Sequence, residues 1–209
     1  MNKPWVEMSI REFQSALASS SPTPGGGTAA AIALGQAAAL SIMVCDLTIG
    51  SEKWKEGWEI SEKLLPLSIE IMTNSARLAD EDSESFDAVM DSFKMPKESE
   101  EEKELRRQEI RKNTLVAAKI PMQTAELALQ LLNYLPDLAK YGNRNALSDV
   151  GVCSLLASAA CKGALFNVKI NLSSLPEGYA GDLENKALRV TEECRIISRK
   201  IMDIVNENL

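Results

Sequence analysis

Asp82 sits where an apolar residue is expected, and that position is the first candidate for proton chemistry. Ile60, Leu64, Leu67 and Ile71 recur at three- and four-residue steps, Asn74 or Ser75 follows, and Leu78, Asp82, Phe86, Val89 and Phe93 continue the series. Apolar residues at this period mark the buried stripe of a helix. Leu78 and Phe86 stand one turn either side of Asp82, so its carboxyl is expected to lose water, and burial favours the protonated form. A carboxyl that keeps its proton closer to neutral pH is a candidate general acid. The same spacing also fits an aspartate paired with a lysine or arginine from another helix, or a stripe that rotates to bring Asp82 to water.

Two further groups have the residue types for a site. Ser21-Pro22-Thr23-Pro24-Gly25-Gly26-Gly27-Thr28 runs from two prolines through three glycines into an alanine-rich segment. The prolines hold the approach extended, and the glycines leave backbone amides uncovered where a helix begins. Such an end attracts anionic or carbonyl-bearing ligands, although the same residues also make a plain tight turn. The second group is Tyr141-Gly142-Asn143-Arg144-Asn145-Ala146-Leu147-Ser148-Asp149. A helix starting near Asn145 carries Asp149 in its first turn, with Cys153, Leu156, Ala160 and Gly163 continuing the same face. The dipole there favours an anion, which suits Asp149 to hold a cation or ligand N–H groups; local stabilisation of the helix end would need the same residue.

Composition limits what these residues can do. The chain has 209 residues and no histidine. A Ser-His-Asp triad, a Cys-His dyad and a histidine-ligated zinc site are therefore excluded, and acid–base work falls to Asp, Glu, Lys, Tyr or water. Net charge is −7 and no strongly basic block occurs, which argues against a nucleic-acid partner. Cys45, Cys153, Cys161 and Cys194 stand singly, with no CxxC pair and no secretory signal pattern, as expected of a reducing cytoplasm.

Helices must position the candidate groups. With 45% apolar but only 5% aromatic residues, the chain is expected to form one all-α domain over 1–209, a helical bundle with an aliphatic core. A first amphipathic helix is expected over Ser9 to Ala18, with Ile10, Phe13 and Leu17 on one face. Residues 28–49 are apolar and nearly membrane-length, but Gln36, Ser41 and Asp46 interrupt the run, so a central helix buried all round is expected rather than a span. A long helix follows from Trp54 to Phe93, bent or broken near Pro66, and Met95-Pro96-Lys97 ends it. The acidic run from Glu98 opens another, which reaches Tyr134; Pro136 and Gly142 then bracket a loop or short helix. The next helix runs from Asn143 or Asn145 to Gly163, Phe166 to Leu172 is helical or extended, and a last helix covers Asp182 to Asn206.

Taken together, four ordered motifs resemble the formiminotransferase-cyclodeaminase C-terminal family. They are Ser21 to Thr28 entering an alanine-rich helix, Asp82-Ser-Glu-Ser-Phe86 with Met95-Pro96 after it, Gly142 to Asn145 with Ser148-Asp149, and Phe166-Asn167-Val-Lys-Ile-Asn171. Thr28 stands where a serine is common, and Ser85 where an alanine is. The resemblance implies an all-helical homodimer that handles one-carbon units on tetrahydrofolate, with Asp82 as proton donor and the glycine loop at the folate site. On this view Asp82 and Asp149 are the catalytic candidates, and Pro24, Gly25, Gly26, Gly27, Thr28, Asn143, Asn145 and Asn167 are the substrate-binding candidates. The implied reactions are hydrolysis of 5,10-methenyltetrahydrofolate or cyclodeamination of a formimidoyl derivative. Neither calls for a metal or for a cofactor beyond the folate carrier. Lys140, Arg144, Lys162 or Lys169 would meet a glutamate or polyglutamate tail. Because no formiminotransferase domain is recognised beside the motifs, the hydrolysis is the expected activity.

Overall fold

Serines set two of the helix starts. Ser9 and Ser99 each accept a hydrogen bond from the backbone N–H three residues on, while Glu12 and Glu102 reach back to the serine amides, so both ends are reciprocally capped. The computed structural model describes residues 3–209. Among these the chain forms six α-helices and no strand: α1 (Ile10–Leu17), α2 (Gly26–Thr48), α3 (Trp58–Phe93), α4 (Glu100–Tyr141), α5 (Leu147–Leu172) and α6 (Leu183–Asn208). Short 3₁₀ turns cover Trp5–Glu7, Glu52–Gly57 and Arg144–Ala146.

The bundle closes as a ring. α2 packs against α3 and α5, α4 packs against the same two helices from the other side, and α6 lies across α4 and α5. Ala31, Ala37 and Ala38 of α2 are fully buried, so neighbouring backbones come close, and Leu34, Leu64, Ile71, Leu131, Leu132 and Leu135 fill the centre. α2 is thus the central helix expected, but its burial is uneven: Met43 and Leu47 remain 38% and 49% exposed. α2 and α5 are both long and apolar enough to cross a membrane, yet half or more of each apolar window is packed inside the bundle. They serve here as core helices.

The prolines give way to packing. α3 runs unbroken through Pro66, and α4 through Pro121 and Pro136 to Tyr141, so no break near Pro66 and no loop at Pro136 is found. A proline inside a helix costs about 3 kcal/mol. Burying Leu131, Leu132, Leu135 and Leu138, each essentially without exposure, contributes about 1.5–3 kcal/mol apiece and outweighs it. The segment from Phe166 to Leu172 is helical, completing α5.

The two helices that carry the motifs run antiparallel. Cys153 of α5 donates to the Ala37 carbonyl of α2, Gly163 lies against Ala30, and the backbone N–H of Asn143 donates to Thr48. The C-terminal half of α5 therefore meets the start of α2, and the beginning of α5 meets its end.

Candidate active site at the start of the central helix

Gly25 caps α2 with no side chain, so the first-turn amides of the helix have no partner within it. α3 brings Asp82 to that end. The Thr28 hydroxyl donates to Asp82 Oδ2 at 3.0 Å and lies 3.0 Å from Ser83 Oγ, which accepts from the Trp5 indole N–H at 3.0 Å. Thr28 is fully buried and Ser83 nearly so, while Asp82 is half-buried. Burial pushes the Asp82 carboxyl above its ordinary value, against the Thr28 hydroxyl and amide, which favour the carboxylate. The net direction is that expected of a proton donor.

Gly27 makes this approach possible. A Cβ on Gly27 would stand 2.6 Å from Asp82 Cγ and closer still to Oδ1, so only glycine admits the carboxyl here. On the other side, a Cβ on Gly26 would meet Asn167 Nδ2 at an ordinary 3.8 Å, and that amide donates to the Gly163 carbonyl at 2.9 Å. Asp82, the Gly25–Thr28 turn and Asn167 are thus gathered at one place, with Pro24 buried behind the turn.

Asn143, Asn145 and Asp149 are elsewhere. Asn143 Nδ2 donates to the Leu47 carbonyl at 2.9 Å, its Oδ1 accepts from the Asn145 amide, and Thr48 bonds its own amide. The bonds to Leu47 and Thr48 tie the far end of α2 to the turn that opens α5, and the Asn143–Asn145 bond caps that turn. Thr28 and Thr48 are twenty residues apart, or about 30 Å along a helix. The expected pairing of Asp82 with Asp149 is therefore not made within one chain, because the antiparallel run of α2 and α5 sends the two motifs to opposite ends.

The stripe through Asp82 also differs in detail. Phe86 and Phe93 are 39% and 49% exposed, whereas Ser75, Ser83, Ser85 and Ser92 are buried, so the inner face of α3 turns from leucine to serine. Trp5 and Ser83 went unread in the sequence. Ser61, Ser68 and Ser75 repeat every seven residues in α3 and the next step of the series is Asp82, so the spacing marks a polar seam that leads to Asp82 but not to Ser83 or Trp5. Among the basic residues, Lys140 and Arg144 lie at the far end. Lys162 and Lys169 flank Phe166, beside Asn167, on a cleft of about 400 Å³ between α5 and α6 that is also lined by Leu165, Leu188 and Glu184.

The family model described as formiminotransferase-cyclodeaminase matches residues 9–206. The chain belongs to the formiminotransferase-cyclodeaminase family. It is 33% identical over 201 residues to a methenyltetrahydrofolate cyclohydrolase of Methylorubrum extorquens, covering 96% of this chain and 97% of that one. It is 29% identical to a formimidoyltransferase-cyclodeaminase of Gallus gallus, matching 99% of this chain but only 38% of the longer protein. The crystal structure of a formiminotetrahydrofolate cyclodeaminase from Thermotoga maritima shares the fold, with a TM-score of 0.86 at 24% identity over 97% of this chain and 98% of that one. In this family member the four motifs of the sequence thus lie on a fold common to a solved relative.

Proposed function

We propose that this family member hydrolyses 5,10-methenyltetrahydrofolate to 10-formyltetrahydrofolate, with the Asp82 carboxyl as its acid and base. The observation that carries the reading is a half-buried carboxyl, raised by burial, held against the Gly25–Thr28 turn. Water adds to the cationic bridge carbon and loses a proton to Asp82. The tetrahedral adduct then opens by cleavage of the carbon–N5 bond, and Asp82 returns the proton to N5. One proton is released overall as the bridging cation becomes a neutral formyl group. The Gly26 and Gly27 backbone forms a wall that a flat pterin can approach, and Asn167 borders it. Proton transfer of this kind requires no metal and no redox group.

A second reading, cyclodeamination, is favoured by the chicken relative that matches 99% of this chain. There N10 attacks the formimino carbon, and Asp82 protonates the departing ammonia. Loss of methenyltetrahydrofolate absorbance on adding purified protein, without ammonia release from 5-formimidoyltetrahydrofolate, is the expected result. Ammonia release alone would replace the first reading by the second, and neither would leave a folate-binding module.

The anionic glutamate tail of the substrate is assigned to Lys162 and Lys169, the basic pair on the Asn167 half of α5. The active form is assigned as a homodimer through the outer stripe of α2 and α5, where Met43, Leu47, Val152 and Leu155 are between 38% and 56% exposed. Leu155→Glu should then halve the mass found by sedimentation. Four buried free cysteines suit a reducing cytoplasm.

A further inference from the structure

The hydrogen bonds around Asp82 form a chain with a direction. An indole N–H donates and never accepts, so at Ser83 one acceptor position is filled by Trp5. The hydrogen of Ser83 itself has Thr28 Oγ1 as its partner among the described residues, at 3.0 Å. With that lone pair occupied, Thr28 directs its own hydrogen to Asp82 Oδ2. The chain thus runs Trp5 to Ser83 to Thr28 to Asp82, each member donating to the next. Oδ2 accepts the Thr28 hydroxyl at its end, and the Thr28 amide also bonds the carboxyl; Oδ1, which takes no hydroxyl, is the oxygen left to carry a proton. Oδ1 is also the atom nearest to where a Gly27 side chain would begin, so it faces the glycine turn.

The far end of the chain is firmly held. The Trp5 backbone N–H donates to Asp80 Oδ1 at 2.9 Å, its ring packs with Ala31, Leu78 and Ala79, and Phe13 meets it edge-on at 6.2 Å. The 3₁₀ turn Trp5–Glu7 is therefore fixed to α3 on both sides of Asp82, at Asp80 and at Ser83. The indole N–H, its polar side-chain contact among the described residues, points into the site.

We propose that Trp5 and Ser83 are positioning residues for Asp82, orienting the Thr28 hydroxyl onto Oδ2 so that the transferred proton is carried on Oδ1, over the Gly27 turn. This rests on the assignment of Asp82 as the acid and base. A chain that fixes which oxygen bears the proton holds the reactive group in one geometry, and each broken link lets the carboxyl turn or the proton move to the wrong oxygen.

The test uses the full chain and steady-state hydrolysis of methenyltetrahydrofolate across pH. Ser83→Ala and Trp5→Phe should each lower kcat about tenfold with KM nearly unchanged, since they alter orientation and not binding. Thr28→Val removes a donor to the carboxylate, so the apparent pKa governing kcat should move upward, while Thr28→Ser, which keeps the hydroxyl, should restore it. Ser83→Ala is a small change that keeps the test available if Trp5→Phe folds poorly. If these variants keep wild-type kcat and apparent pKa while Asp82→Asn is inactive, Asp82 works without the chain and the proposal fails. A lower Tm with unmoved kinetics would likewise reduce Trp5 and Ser83 to packing. Full activity in Asp82→Asn would overturn instead the assignment of Asp82 itself.

Discussion

The two ends of α2 carry similar residues and treat them differently. At the start, Asp82 and Thr28 meet beside a turn of glycines, and the carboxyl takes the Thr28 hydroxyl on Oδ2 while Oδ1 faces the Gly27 backbone. At the finish, about 30 Å away, Asn143 commits its side-chain amide and backbone N–H to α2 and its side-chain oxygen to capping the turn into α5. A polar residue whose bonding capacity is filled by the fold has little left for a ligand. The contrast separates a site from a staple, though both are polar motifs beside a glycine in the sequence.

The contrast is tested most severely at Asp82. Asp82→Asn should lower kcat by about 10²–10⁴-fold, the range of one acid–base group. The same change should stabilise the protein. Asp82 has a raised value in the fold, so the native state binds more protons than the unfolded chain between the ordinary carboxyl value and the raised one. Stability of the wild type therefore falls as pH rises through that window. Thermal melts should show the asparagine variant the more stable above the window, with the difference vanishing below the ordinary carboxyl range. Loss of stability at neutral pH would make Asp82 a structural anion.

Gly27 comes next. Its α-hydrogen faces the carboxyl with no room for a methyl group, so Gly27→Ala must displace Asp82 and should cost about tenfold or more in kcat. Gly26→Ala meets only ordinary contact with Asn167, so it should leave kcat nearly unchanged and show its effect in KM, where the pterin approaches. Equal effects at the two glycines would mean that the loop serves its own turn and not the approach of Asp82.

At the other end, Asn143→Ala should lower stability by about 1–2 kcal/mol, the cost of a lost cap and a freed carbonyl, and leave kcat/KM nearly unchanged. Urea unfolding beside the hydrolysis assay checks both halves. A large fall in kcat/KM with stability intact would turn the staple into a site.

The sequence carried the helices and the Asp82 anomaly because both are local: period and composition suffice for them. It did not carry the direction of α5 against α2, which is decided by contacts such as Gly163 on Ala30 between residues more than a hundred apart. Without that direction, Asp82 and Asp149 read as one acid and one stabilising anion, when α2 holds them at opposite ends. Pro136 misled for a related reason. Its local cost is fixed, whereas the leucines that overcome it count only once α2, α3 and α5 surround them. Ser83 was hidden by its type, since a serine in a long helix shows nothing of an indole arriving from Trp5.

Asp149 should give the smallest effect, and its interest lies in that. It is half-buried in the first turn of α5, where the helix dipole favours an anion by about 0.3–1 kcal/mol. Asp149→Asn removes the charge and keeps the shape, so stability should fall within that range and kcat should stay close to wild type. The comparison can still be overturned here. If Asp149→Asn lowered kcat as Asp82→Asn does, the acid–base pair would have to be assembled from two chains, one giving each end of α2. In that case mixing the two single variants should recover part of the activity, because a hybrid dimer would hold one complete pair. Near-normal turnover of the Asp149 variant alone leaves the chemistry at the glycine end of α2 and within a single chain.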